Sequence, residues 1–191
     1  MKDTIESYIK DSANVILESI SCSDSIENII NIIQNCITKG NKIVLFGNGG
    51  SATDAQHIAG EFVGRFNKNR SSIPALALTA DSSVITAISN DFSYDNVFSR
   101  QCESLVSSGD VVIGISTSGN SNNVIEGLKK SKENGATIIG LLGNNGGKIK
   151  NITDHSIIIP SQNTAKIQEA HRVVSHIMCM LIEEKYHSDG N

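Results

Sequence analysis

Tryptophan is absent from this 191-residue sequence, and proline occurs only as Pro74 and Pro160, so nothing in it reads as a proline-rich linker or a domain boundary. No window reaches the ~18 uninterrupted apolar residues of a membrane span. Met1 to Lys10 alternates charges where a signal peptide would carry an apolar core, which predicts a cytoplasmic protein. Positive charge is not in surplus either: 16 Lys and Arg stand against 20 Asp and Glu, a net charge of −4, so no broad field exists to collect a polyanion such as nucleic acid. Cys22, Cys36, Cys102 and Cys179 show no C-x-x-C spacing. Thin spacing of this kind predicts free, buried thiols in a reducing compartment rather than a disulfide framework or a cysteine metal cluster.

The sequence does contain two kinds of apolar pattern. From Asp3 to Thr38 the apolar residues fall at helical spacing, interrupted around Ser21 to Ser23. This predicts two amphipathic helices, the second capped by Ser23 or Asp24 and closed by Gly40. Beyond Gly40 come short continuous runs, Ile43–Phe46, Ala75–Leu78, Val111–Ile115, Thr137–Leu142 and Ser156–Ile159, which suit strands buried on both faces. Helical stretches are predicted between and after them at Ala52–Phe66, Ser82–Ser89, Asp95–Val106, Asn122–Asn134 and Ala165–Tyr186. Strands alternating with helices imply a parallel sheet with right-handed crossovers. The expected architecture is a three-layer αβα sandwich with a five-stranded parallel sheet, one domain over residues 1–191, with 1–40 as an N-terminal helical arm and 41–191 as the sandwich.

Two strands end in loops suited to anions. The first runs into Gly47-Asn48-Gly49-Gly50-Ser51 and then a helix; the third runs into Ser116-Thr117-Ser118-Gly119-Asn120-Ser121 and then a helix. Hydroxyls and helix N-termini can hold phosphate oxygens without any cation. Either loop alone reads equally well as ordinary turn and cap chemistry, but two at the same position in neighbouring units favour a binding crevice. No Lys follows the glycines and the G-x-G-x-x-G spacing is missing, which disfavours nucleotide binding.

The helix after the first loop carries Asp54, His57 and Glu61, and His57 and Glu61, four residues apart, share one face. That pair suits either metal binding or proton transfer; in isolation such a pair is more often a solvated surface pair, but Ile58, Phe62 and Val63 mark neighbouring positions as buried. The last helix interrupts its apolar pattern with Gln168, His171 and His176; Gln168 and His176 are separated by ~80° around the axis, so both are expected to face one cleft.

With these motifs the chain resembles the sedoheptulose-7-phosphate isomerase family of the sugar isomerase (SIS) group. The resemblance rests on Gly47–Ser51 with His57 and Glu61, on Ser89-Asn90-Asp91-Phe92, on Gly114–Ser121, and on Ile167-Gln168-Glu169 with His171 and His176, and it covers most of the chain from Gly47 onward. It implies the SIS fold and isomerisation of sedoheptulose 7-phosphate to D-glycero-D-manno-heptose 7-phosphate through an enediol, the first step toward activated heptose precursors. It implies further that Asn48, Gly49, Gly50, Ser51, Asn90, Asp91, Ser116, Thr117, Ser118, Ser121 and Gln168 bind substrate, and that Glu61, also at the substrate, and His176 are the catalytic pair. One zinc per subunit is implied on His57, Glu61, Gln168 and His176, as is a homotetramer with shared active sites whose core is the N-terminal helices. Ala165 stands where some members carry an acidic residue. Two other readings share much of the pattern: a non-catalytic SIS adaptor that binds the bacterial replication initiator, and an isomerase of another sugar phosphate.

Overall fold

The computed structural model describes residues 1–188, with side chains as far as Tyr186. In chain order its elements are α1 (Lys2–Glu18), α2 (Ser23–Thr38), β1 (Ile43–Gly47), α3 (Gly50–Val63), β2 (Ala75–Ala77), α4 (Ser82–Asp91), α5 (Ser99–Leu105), β3 (Val111–Ser116), α6 (Asn122–Glu133), β4 (Thr137–Leu142), β5 (His155–Ile158) and α7 (Thr164–Ser188). The strands form one parallel sheet in the order β2-β1-β3-β4-β5. Ile43 pairs with Ala75 on one side and Val111 on the other, and Val111 pairs in turn with Thr137.

Side chains along each strand point alternately to two faces, and each face has its own core. Ile43, Leu45, Ile113, Ile115, Ile139 and Leu141 join residues of α2, α3 and α7. Val44, Phe46, Val112, Ile138 and Leu142 join Phe98, Cys102, Val124 and Leu128 from the α5 and α6 side. Full burial stabilises each such side chain by roughly 1.5–3 kcal/mol, which is why the continuous apolar runs of the three inner strands are needed. The expectation of burial on both faces fails at the edge: Leu76 of β2 is 37% exposed.

Several element boundaries differ from the sequence expectation for local reasons. Helix α3 starts at Gly50, earlier than predicted, and stops at Val63 because Gly64 leaves the helical region (φ −78°, ψ −111°). The stretch expected as one helix over Asp95–Val106 is a single 3-10 turn at Tyr94–Asn96 followed by α5. Strand β5 sits one residue earlier than predicted. Ser23 and Asp24 do not cap α2: Cys22 holds the cap position without a side-chain bond, and the Ser23 hydroxyl donates instead to the Ile20 carbonyl at 2.6 Å. The other end is as predicted, with Gly40 at φ +79° and the N–H of Asn41 bonded back to the Cys36 carbonyl at 3.1 Å.

The arm divides in its behaviour. Helix α2 packs back onto the sheet and buries Ile26, Ile29, Ile30, Ile33, Cys36 and Ile37, whereas α1 buries no residue and leaves Ile5, Ile9 and Leu17 more than half exposed. All four cysteines are free, and Cys36, Cys102 and Cys179 are buried. Among the described residues no helix is long and apolar enough to cross a membrane.

His171, one of the polar residues interrupting α7, belongs to the interior. It is fully buried, its Nε2 lies 3.0 Å from the Leu142 carbonyl, and its Nδ1 has no partner. Burial pushes its pKa down to about 4, the Leu142 carbonyl opposing only weakly. The unfolded chain therefore binds a proton below about pH 6.5 that the folded chain refuses, so stability is lost as the pH falls. Urea unfolding is expected to show up to about 3 kcal/mol lost through His171 between about pH 6.5 and 4. His171→Gln should lack that component, and a pH dependence identical to the parent would contradict it.

Candidate functional site

From β1 the chain turns outward to β2, and from β3 it turns the opposite way to β4, so the carboxyl ends of β1 and β3 frame the switch point where open α/β sheets take their ligands. Both predicted anion loops lie there. In the first, Gly49 has φ +55° and ψ −121°, a conformation that essentially requires glycine, and α3 begins at the next residue. Ser51 is buried, its N–H bonded to the Asn48 carbonyl at 2.9 Å. The second loop folds on itself: the N–H of Gly119 donates to Ser116 Oγ at 3.1 Å, Ser116 Oγ lies 3.3 Å from Ser121 Oγ, and the N–H of Asn120 donates to Ser118 Oγ at 3.2 Å. Thr117 is half-buried and its carbonyl accepts from Asn144 at 2.8 Å. Ser121 holds the N-cap position of α6 without making a capping bond, which leaves its hydroxyl and the first turn of the helix to a ligand. A side chain at Gly119 would run into the Gly146 backbone, so the loop after β4 braces this cradle.

The two loops are tied together by an amide pair that sequence reading did not single out. Asn48 Nδ2 donates to Asn123 Oδ1 at 2.8 Å, Asn123 Nδ2 donates to Asn48 Oδ1 at 2.9 Å, and the Tyr94 hydroxyl donates to the same Asn48 oxygen at 2.9 Å. In the sequence Asn123 reads as an ordinary first-turn residue and Tyr94 falls between two predicted helices, so no local signal marks either.

Helices α3 and α7 run side by side along the crevice. At their starts the Gln168 side chain lies directly on Gly50, where any Cβ would overlap its amide. One turn on, Arg172 meets the buried Asp54 at 2.6 Å. Next, His57 Nε2 lies 2.9 Å from His176 Nε2, with Glu61 Oε1 at 3.5 Å from the same His57 nitrogen and the Phe66 ring 5.5 Å from His176. A hydrogen bond between two ring nitrogens needs one of them unprotonated. His57 meets that need: burial and then the charge of Arg172 hold its pKa below the ordinary histidine value, against Glu61. Burial raises the Asp54 carboxyl, opposed by Arg172 and His57. A cleft of about 500 Å³ opens over Gly50, Thr53, Asp54, Gln168, Glu169 and Arg172.

The structure thus joins His57, Glu61 and His176, as expected, but not all four residues of the implied zinc set. Gln168 and His176 are eight residues apart, and at ~1.5 Å per residue that separates them by roughly 12 Å along α7. Their shared azimuth does not bring them to one point, and among the described residues no group of three or more His, Cys, Asp and Glu side chains stands arranged around an ion. Asn90 donates to Asp91 at 2.9 Å at the exposed end of α4, and among the described residues no hydrogen bond links either to the loops.

Comparison with known proteins supplies the frame for this arrangement. Residues 7–143 match the model of the SIS domain family. The chain is 48% identical over 185 residues to the phosphoheptose isomerase of Aquifex aeolicus, covering 96% of this chain and 97% of that protein. It is 49% identical over 191 residues to the phosphoheptose isomerase of Aneurinibacillus thermoaerophilus, covering 96% and 94%. The solved structure of phosphoheptose isomerase GmhA from Neisseria gonorrhoeae superposes with a TM-score of 0.91 at 38% identity, covering 96% of this chain and 98% of that one. That of a phosphoheptose isomerase from Francisella tularensis gives 0.92 at 31% identity, covering 95% and 97%. Full-length identity at this level and the same fold make the chain a member of the SIS-domain family and, within it, of the phosphoheptose isomerases.

Proposed function

We propose that the chain interconverts sedoheptulose 7-phosphate and D-glycero-D-manno-heptose 7-phosphate. The observation that carries this reading is the meeting of Glu61, His57 and His176 along α3 and α7, the two helices whose starts meet at the glycine loop at the switch point of the sheet. The phosphate belongs in the second loop, on Ser116, Thr117, Ser118 and Ser121, with Ser51 near and the α6 N-terminus behind it. Asn48, Gly49, Gly50 and Gln168 line the sugar chain. At its far end Glu61 as carboxylate takes a proton from carbon 1 of the open-chain ketose; the electron pair moves to the C1–C2 bond while His176 supplies a proton to the carbonyl oxygen at carbon 2. The enediol then collapses in reverse order: His176 removes the hydroxyl proton at carbon 1 and Glu61 returns a proton to carbon 2, giving the aldose with no net change in atoms. The adaptor reading gives no role to this proton-transfer group. Glu61→Gln should lower turnover by ~10² to 10⁴, followed by NMR on sedoheptulose 7-phosphate, and turnover within a few-fold of the parent would remove Glu61 from the role.

Two imidazoles and a carboxylate also form a donor set that suits zinc with an open position for substrate. His57 Nε2 and His176 Nε2 lie 2.9 Å apart, and imidazole nitrogens are ordinary zinc ligands. His57, Glu61 and His176 are the side chains that would hold zinc, once the imidazoles give up the hydrogen bond they make to each other, since as they stand they are not arranged around an ion. Bound there, zinc would act as a Lewis acid on the sugar oxygens. Dialysed against zinc, the parent should retain about one ion per chain by elemental analysis and His57→Ala less than about a tenth of that, whereas equal retention would remove the assignment.

Assembly as a homotetramer with shared active sites accounts for the bare apolar face of α1. Four free thiols and a charged, membrane-impermeant substrate suit the cytoplasm. Ultracentrifugation of the soluble fraction should find the mass of four chains; a single-chain mass, or recovery with membranes, would contradict this.

A further inference from the structure

Beyond the proton-transfer group, one buried charged cluster has no part in the chemistry described so far. Glu183 lies two turns past His176 on α7, and its side chain and that of Arg70 are only 2% and 1% exposed, with Arg70 Nε 3.3 Å from Glu183 Oε1. The carboxylate accepts three backbone N–H groups, from Phe66 at 2.8 Å, Asn67 at 2.6 Å and Lys68 at 2.8 Å. Burial pushes the Glu183 carboxyl up, but the N–H donors of Asn67, Phe66 and Lys68, and then Arg70, outweigh it and hold the carboxyl below the usual range. The contact of Arg70 Nε with the carboxylate is ionic, without a hydrogen bond, and the Nη groups donate to backbone carbonyls: Nη2 to Glu61 at 2.8 Å and Nη1 to Phe62 at 2.8 Å and Gly64 at 3.3 Å at the end of α3, and to Ser71 at 2.9 Å beyond it.

These contacts have two ends of chemical interest. One is the backbone of Glu61 itself, where a guanidinium also answers the partial negative charge of the helix terminus. The other is Phe66, whose N–H is held by Glu183 and whose ring lies against His176. A buried ion pair is a poor device for stability alone, because desolvating both charges offsets most of their attraction and an apolar pair of similar volume does as well. Its asset is geometry, since a planar fork and a carboxylate with fixed acceptors admit one arrangement.

We propose that Arg70 and Glu183 are positioning residues of the isomerase, a clamp that sets the carboxylate of Glu61 and the imidazole of His176 at their working separation. The inference rests on the assignment of Glu61 as base. The clamp works from both sides: Arg70 fixes where α3 ends, and Glu183 fixes the loop that supports the His176 ring. Neither touches substrate, so loosening them should leave binding intact and misplace the proton transfer. A misplacement of about 1 Å costs on the order of 10²-fold in rate.

The test is a double-mutant cycle at 25 °C on protein shown to be folded by circular dichroism. Glu183→Gln keeps the shape and loses the charge; it should lower kcat by ~10- to 100-fold with KM within about two-fold, and Arg70→Lys, which keeps the charge but loses the fork, should do the same. In a Glu61→Gln background either change should cost less than about three-fold, because the group it positions is already gone. Unchanged kcat in the single variants, or full multiplicative losses in the Glu61→Gln background, would overturn the proposal. Should Glu183→Gln fail to fold, Arg70→Lys decides alone, and failure of both to fold would make the pair a structural anchor and overturn the proposal. Parent-like turnover in Glu61→Gln itself would instead reject the base assignment, a separate outcome read before either clamp variant is made.

Discussion

Helices α3 and α7, separated by about a hundred residues of chain, are held in step along one edge of the crevice by a ladder of unlike contacts. Gln168 lies on Gly50, Arg172 on Asp54, His176 on His57, and Glu183 on the backbone that follows α3. Each rung is polar and all but the first are hydrogen-bonded or ionic, so a slip of one helix past the other would strand several buried polar groups together. Register is therefore set more sharply than apolar packing would set it. Everything proposed for the site depends on that register, because it decides which carboxylate meets which imidazole.

The same ladder explains how a single crevice divides into two ends. Near the starts of α3 and α7 lie the glycine loop, the serine loop and the N-terminus of α6, an environment that suits a phosphate held by hydroxyls and helix dipoles. Farther along α3 lies the proton-transfer group, where burial and Arg172 hold the His57 pKa below the ordinary histidine value and two imidazoles share one hydrogen bond. A sugar phosphate with its phosphate at one end and its carbonyl at the other spans such a site lengthwise, and a neutral imidazole is the form able to exchange protons with sugar oxygens.

The sheet was legible because Ile43–Phe46, Val111–Ile115 and Thr137–Leu142 are unbroken β-branched and aliphatic runs, a pattern that only doubly covered strands need. The loops were legible as a pair: each alone reads equally well as a turn, and it is their matching positions after β1 and β3 that mark a crevice. Helix phase was legible, but axial distance was neglected: ~80° between Gln168 and His176 says nothing of the roughly 12 Å that eight residues add along α7. Asn123, Tyr94, Arg70 and Glu183 were illegible for a common reason. Their partners are backbone groups or side chains distant in the chain, and in sequence Glu183 reads as a solvated acidic residue in a charged tail. Long-range polar satisfaction leaves no periodic trace, whereas burial of apolar faces does.

The most direct test of the central claim, that one bound ligand lies between the serine loop and the Glu61–His57–His176 group, is a crystal structure of Glu61→Gln with sedoheptulose 7-phosphate. The account predicts the phosphate on Ser116, Ser118 and Ser121 and the C1–C2 unit within hydrogen-bonding reach of residue 61 and His176. A phosphate bound in the serine loop with the sugar leading away from both, in every copy of the assembly, would contradict it.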